Sequence, residues 1–326
     1  MQAQTLQAIS ALIPVARQAI SGAVYRTPLE PSTWLSQSAG AEVLLKLECY
    51  QPTGSFKVRG AVAAISRLTP EERERGVITA SAGNHGLGVA YASSLLGTHA
   101  TVVVPDNASE AKLAALQRFP IQLLRGGPSY DTAEQKALRL AREENLIFVS
   151  PYNDPWVIAG QGTIGVEILE DEPHLDAVMI PVGGGGMISG VGSWLKQINP
   201  AIRVIGVQSA ASPAMERALK AGRLVEIGIE PSLADGLAAN IQAGSITFDL
   251  ARAVVDDLVL VSEEEIADAI RAAYHELHLA LEGSAVVPIA ALLANRVEGL
   301  DRQHVAAVIT GRNIAAERLI SILTGS

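Results

Sequence analysis

The stretch AVMIPVGGGGMISGVGSWLKQI, residues 177–198, decides how the chain is read. It opens on an apolar run, Ala177–Pro181, passes through four consecutive glycines, Gly183 to Gly186, and enters a segment whose Met187, Ile188, Val191, Trp194, Leu195 and Ile198 share one helical face. A buried strand, a glycine turn and a helix start therefore stand end to end. Glycines let backbone approach a ligand closely and point successive N–H groups at it. The helix N-terminus adds a partial positive charge. The turn reads as a cup for a phosphate-like anion. It is not a P-loop, since no Gly-Lys-Ser/Thr follows, and it is not a dinucleotide fingerprint. The stretch from Ala177 to Leu195 carries no charge, but its six glycines and one proline argue against a membrane-spanning helix.

On either side, β-branched runs alternate with amphipathic segments. Strands are expected at Val43–Leu47, Val77–Ala80, Ala100–Pro105, Ile121–Leu124, Ile147–Val149, Arg203–Val207, Asp257–Val261 and Val305–Ile309. Helices are expected at Val58–Arg67, Leu87–Leu96, Asp131–Glu144 and Glu263–Leu281, the last opened by Ser262 as N-cap. Such alternation predicts an α/β architecture with parallel sheets, whose ligands sit beyond the carboxyl ends of the strands.

Three more constellations fall at those ends. Ser81-Ala82-Gly83-Asn84-His85-Gly86 lies between a strand and a helix and offers N–H donors, a hydroxyl and an amide to a small carboxylate. Its glycines at 83, 86 and 88 do not make the G-x-G-x-x-G of a nicotinamide site, although Asp106 follows about twenty residues on. Lys57, in Pro52-Thr53-Gly54-Ser55-Phe56-Lys57, follows a strand and a Pro/Gly turn. A lysine enclosed there can lose its proton well below its usual pKa of about 10.4 and become an amine nucleophile for an aldehyde. Thr310, in Thr310-Gly311-Arg312-Asn313 after the Val305–Ile309 run, can present a hydroxyl to a heterocycle nitrogen.

The bulk numbers limit the partners. The chain has 326 residues, is 48% hydrophobic and 18% charged, and carries a formal net charge of −9, which supports a globular core and argues against nucleic acid or an anionic membrane as partner. Cys49 is the single cysteine, so neither an internal disulfide nor a cysteine-based metal motif can form. The polar N-terminal residues do not look like a signal peptide, and a cytoplasmic location is expected.

The runs PTGSFKVRGA, SAGNHGLGVA, VIAGQGTIGVEI and PVGGGGMISG, with RTPL at Arg26–Leu29 and LADGLA at Leu233–Ala238, closely resemble the serine/threonine dehydratase family. These are fold-type II pyridoxal-phosphate enzymes, which include threonine dehydratases and serine racemases, and the resemblance covers nearly the whole chain. It implies a tryptophan-synthase-β-like fold with two open parallel-type sheets. A large domain would comprise residues 1–70 and 154–326 and a small substrate-loop domain residues 71–153. It implies pyridoxal 5′-phosphate held by Lys57 as a Schiff base, with Phe56 near the ring, Asn84 on the ring hydroxyl, Gly183, Gly184, Gly185, Gly186 and Met187 on the phosphate, and Thr310 at the pyridine nitrogen. Ser81, Ala82, Gly83 and His85 would form the substrate loop. The implied activity is that of a lyase, removing water from an L-3-hydroxy amino acid such as threonine or serine to give a 2-keto acid and ammonia. A homo-oligomer, dimer or tetramer, is expected.

Three departures sharpen this. Racemases of the family carry a second serine where this chain has Ala82, so little racemisation is expected. Gln208 and Ala214 stand where some relatives have the two carboxylates of a divalent-metal site, so no metal is expected. Arg312 replaces a usual glycine, which opens two readings, a surface arginine or a partner for a polar substrate group. The second would admit 3-hydroxyaspartate, phenylserine or a hydroxyectoine breakdown product as substrate.

Overall fold

The computed structural model describes residues 2–325. Ten strands form: β1 (Leu29–Pro31), β2 (Glu42–Lys46), β3 (Val77–Ala80), β4 (Ala100–Val104), β5 (Gln122–Arg125), β6 (Ile147–Phe148), β7 (Ala177–Pro181), β8 (Arg203–Ser209), β9 (Asp257–Val261) and β10 (His304–Val308). They make two sheets, a six-stranded one in the order β1-β2-β10-β7-β8-β9 and a four-stranded one in the order β5-β4-β3-β6. Every pairing is parallel except β1 with β2. The α/β expectation with two parallel-type sheets therefore holds. The last strand of the chain, β10, lies between β2 and β7, so the large sheet is stitched from both ends of the chain. This brings Thr310, just past β10, beside the glycine turn that follows β7.

Parallel strands buried on both faces read as continuous apolar runs; β4, β7 and most of β8 and β10 do so. Between the sheets runs the helix Pro155–Asp171, buried from Val157 to Ile168 and capped by Asp154, whose carboxylate accepts the N–H groups of Trp156 and Val157. Its apolar character on all sides hides the helical period, which is why the sequence motif VIAGQGTIGVEI does not announce a helix. Two others lean on it through glycines, Lys57–Ser66 and Gly186–Ile198. A Cβ at Gly160 would come 2.7 Å from Gly60 Cα, and one at Gly190 would strike the carbonyl of Ile158. Close backbone approach thus fixes the starts of both helices, one carrying Lys57 and the other the glycine turn.

A buried ionic group sits at the root of the Lys57 helix. Arg59, fully buried, donates from Nε and Nη2 to Glu48 at 2.7 and 2.8 Å and from Nη1 and Nη2 to Glu167 at 2.7 and 2.8 Å. Lys46, equally buried, donates to Glu167 at 2.6 Å and to the carbonyl of Thr27 at 2.7 Å. Two cations face two carboxylates, so charge is balanced and most lone pairs are taken, the condition under which buried ions are tolerated.

The expected helix Glu263–Leu281 ends earlier, at Glu276. The chain turns at His278, with φ of 54°, and a second helix begins at Gly283. This correction matters, because it puts Glu282 on a loop facing the site.

Candidate active site

A cavity of about 500 Å³ lies between the carboxyl ends of the two sheets. Lys57, Asn84, Tyr152, the turn Gly183–Met187, Glu282 and Thr310 all line it. The residues singled out after β2, β3, β7 and β10 thus converge on one space.

Lys57 opens its helix and is half-buried. Its Nζ donates to the carbonyl of Pro151 at 2.9 Å and stands 5.2 Å from the centre of the Phe56 ring. Burial pulls its pKa down to about 8, against the opposing pull of Glu282. An amine that sheds its proton there is a usable nucleophile near neutral pH.

The glycine turn is built for an anion. Among the described residues, no protein acceptor takes the backbone N–H groups of Gly183 through Met187. Gly185, with φ of 86°, caps the helix Gly186–Ile198, and the hydroxyl of Thr247 donates to the carbonyl of Gly184 at 2.7 Å. The ring of Tyr152 lies flat against the turn, so that a Cβ at Gly184 would be 2.5 Å from it. Free donors, a helix N-terminus and a floor with no room for side chains fit a phosphate ester. The cavity beyond, with an amine, an amide and a hydroxyl on its wall, fits the rest of a phosphorylated pyridine aldehyde.

Asn84 begins the helix Asn84–Leu96. Its Nδ2 donates to Glu282 Oε1 at 2.7 Å, and its Oδ1 accepts from Asn313 Nδ2 at 2.6 Å. The amide is therefore held at both ends, with one N–H left for a ligand. Ser81 Oγ accepts the N–H of Gly83 at 3.2 Å, and Ala82 contributes only a methyl group. His85 turns its imidazole into the protein, where Nε2 meets the carbonyl of Val149 at 3.0 Å. Burial, then the nearby Lys57, pushes its pKa down to about 3, so the ring stays neutral. Thr310 is buried, its Oγ1 3.5 Å from the carbonyl of Ser284.

Arg312 does not join them. Its backbone N–H donates to the carbonyl of Gly54, and the exposed side chain lies over the Tyr50 ring at 5.8 Å, outside the cavity lining. The β-bridge between Ser55 and Gly311 sets that direction. Gln208 is buried and its Oε1 accepts the N–H of Glu216 at 2.9 Å, while Ala214 starts the helix that Glu216 belongs to. Among the described residues, no group of three or more His, Cys, Asp or Glu could hold a metal ion. No helix among them is long and apolar enough to cross a membrane.

Sequence reasoning missed Glu282, Tyr152 and the pair Lys112–Asp235, which meet at 3.0 Å beside the cavity. For Glu282 a signal existed, a lone carboxylate directly before the uncharged run Gly283–Asn295. Burial, then Asp235, raises its pKa to about 7.

Comparison with known proteins agrees with this geometry. A family model described as pyridoxal-phosphate dependent enzyme matches residues 20–311. The chain is 44% identical to the L-threonine ammonia-lyase of Thermotoga maritima over 95% of its own length and 77% of that protein. Among solved structures, a processed threonine deaminase isoform 2 from Solanum lycopersicum superposes with a TM-score of 0.90 at 35% identity, covering 99% of this chain and 92% of that one. A serine racemase from maize does so with a TM-score of 0.90 at 31% identity, covering 96% of each chain.

Proposed function

The chain belongs to the pyridoxal-phosphate dependent enzymes, and on that premise we propose that it is a dehydratase, or ammonia-lyase, acting on an L-3-hydroxy amino acid of the threonine or serine kind. The products are a 2-keto acid and ammonia. The observation that carries this reading is Lys57, an amine of lowered pKa on the wall of a cavity whose other side is a row of free N–H donors.

When bound, pyridoxal phosphate supplies an electron sink for the bond-breaking steps. Gly183 to Met187 would hold its phosphate through their free N–H groups, and Asn84 and Thr310 would orient the ring. Lys57 Nζ would hold the cofactor, and its free amine is the base placed on the cavity wall to take the substrate α-proton. The N–H groups of the Ser81–His85 loop receive the substrate carboxylate, and His85 serves that loop through its hold on Val149 rather than as an acid or base.

Ala82 favours elimination over racemisation, because a methyl group cannot move a proton on the far face of the substrate. A small or apolar substrate side chain fits best. Leu87, Ala111, Ala115 and Tyr130 are among the cavity's lining, and Lys112, a lining cation, is already paired with Asp235. This speaks against 3-hydroxyaspartate. Residues 71–153 form the proposed small domain, closing over the substrate against the remainder and excluding water. We further place the enzyme in the cytoplasm, as a homo-oligomer.

The test is release of 2-keto acid from L-threonine, L-serine, phenylserine and 3-hydroxyaspartate by the loaded enzyme, with Lys57→Ala as control. Turnover of one of the first three, lost in the control, is the expected result. D-serine formation rivalling keto-acid release would refute the dehydratase reading.

A further inference from the structure

We propose that Glu282 is a positioning residue for the cofactor: it fixes the amide of Asn84, and loss of its proton loosens the cofactor through that amide. This rests on the reading of the cavity as the pyridoxal-phosphate site.

The geometry is a continuous chain of hydrogen bonds. Asn313 Nδ2 donates to the carbonyl of Thr53 at 2.9 Å and to Asn84 Oδ1 at 2.6 Å, and Asn84 Nδ2 donates to Glu282 Oε1 at 2.7 Å. The backbone N–H of Asn313 also favours the charged form of the carboxyl. Space is reserved for it, since a Cβ at Gly311 would collide with the Glu282 carboxyl. Asn84 therefore cannot turn its oxygen toward the cavity without losing both partners. Three separate segments, the Lys57 loop, the start of the Asn84 helix and the turn after β10, are tied at this carboxyl.

The charges around Glu282 do not neutralise it. Lys57 faces it from the helix Lys57–Ser66, Cys49 from the turn Glu48–Tyr50, Asp235 from the turn Asp235–Leu237, and Lys112 from the helix Glu110–Leu116. Asn84 and Asn313, on the remaining elements, are uncharged. Lys112 pairs with Asp235 at 3.0 Å, and Arg318, on the helix Ala316–Thr324, also lies 3.7 Å from Asp235. Lys57, the other cation, becomes neutral on holding the cofactor or shares its charge with it. Burial, then Asp235, raises the pKa of Glu282 to about 7, so the group changes charge within the working range. The neutral form leaves the free N–H of Asn84 for the ring oxygen. The ionised form draws the amide toward itself and sets a second negative charge behind that oxygen.

By linkage, if the bound cofactor raises the Glu282 pKa by one further unit, its affinity falls about tenfold once the group is fully ionised. The experiment measures the dissociation constant of pyridoxal phosphate by absorbance, from about pH 6 to 9, in the wild type and in Glu282→Gln. Ionisation of the phosphate affects both proteins alike; Glu282→Gln also removes the pull that raises the Lys57 pKa, and Asn84→Ala, which keeps Glu282, separates that effect from the one carried by the amide. The expected result is an alkaline weakening of about tenfold in the wild type that Glu282→Gln abolishes. Asn84→Ala should remove the same pH-dependent part, because Glu282 acts through that amide, and this variant carries the test should Glu282→Gln fail to fold. Identical pH profiles in wild type and Glu282→Gln, or an alkaline weakening that survives in Asn84→Ala, would overturn the proposal. A wild type without Lys57-dependent absorbance would instead overturn the cofactor-site reading on which it rests.

Discussion

Replacing Arg59 by methionine tests whether the buried ionic group holds up the active site. Methionine roughly preserves the side-chain length and removes the charge. Glu167 would keep Lys46 as partner, at 2.6 Å, but Glu48 would retain only the hydroxyl of Thr27 at 2.5 Å and the amide of Gln51 at 3.2 Å. Burial pushes the Glu48 carboxyl up, and in the wild type Arg59 outweighs that and holds it below the ordinary range. Without Arg59 its escape is to take up a proton. Protonating at about pH 7.5 a carboxyl that ordinarily titrates near 4.5 costs about 4 kcal/mol, which caps the loss and agrees with about 3–5 kcal/mol for breaking a buried pair. The cap falls by about 1.4 kcal/mol per pH unit, to roughly 2 kcal/mol at about pH 6. Urea unfolding of the cofactor-free protein at both pH values measures this, as a midpoint shift that shrinks on acidification. Adding Glu48→Gln should recover most of the loss at the higher pH. A destabilisation below about 1 kcal/mol, or one unchanged between the two pH values, would refute the assignment of Glu48 as the stranded charge.

Other outcomes follow from the same geometry. Gly184→Ala puts a methyl group 2.5 Å from the Tyr152 ring, and overpacking of about 1–3 kcal/mol there should weaken cofactor binding about tenfold, read by equilibrium dialysis. The rate at which the cofactor-free enzyme captures pyridoxal phosphate should rise with pH through a midpoint of about 8, followed by stopped-flow absorbance, because burial favours the neutral amine of Lys57; a midpoint near the ordinary lysine value would contradict this. Arg312→Ala should leave the ranking of substrates in a keto-acid assay unchanged, since the side chain is stacked on Tyr50 outside the cavity. In acid, Glu48 of the wild type should keep its charge through the ordinary carboxylate range and lose it only below that range, as followed by unfolding at stepped pH. Glu48 has a depressed pKa, so its contribution is present above the unfolded value and lost as pH falls through the folded one.

What the sequence made legible was whatever is local. The β7–glycine turn–helix unit lies within residues 177–198, and its strand, turn and helix all form where periodicity and glycine placement put them. The Lys57 and Asn84 loops were legible for the same reason, each being a short run between a strand and a helix. Long-range partners left no local trace. Arg59 looks like an ordinary exposed arginine in PTGSFKVRGA, because its burial is made by Glu48 on one side and Glu167 more than a hundred residues away on the other. Arg312 misled in the opposite sense. It stands in a functional turn, but the bridge between Ser55 and Gly311 aims it outward. Glu282 was hidden by an overlong helix, and only the break after Glu276 returns it to the cavity wall.

The placing of β10 between β2 and β7 joins these observations into one mechanism of assembly. The Lys57 loop follows β2, the glycine turn follows β7, and Thr310 with Asn313 follows β10, so three parallel neighbours deliver the amine, the N–H donors, a hydroxyl and an amide to one edge. Glu282 and Asn313 then reach across to Asn84, which belongs to the other sheet's β3 connection. The site is thus completed only when the two sheets meet, and a pair of asparagines and one carboxyl form the seam. That seam consists of short hydrogen bonds between small polar groups rather than apolar packing. Breaking such contacts costs little in buried apolar area. Burial of the Glu282 carboxyl at this seam, with Asp235 nearby, raises its pKa to about 7, so the joint as well as the Lys57 amine carries a group shifted toward neutral pH.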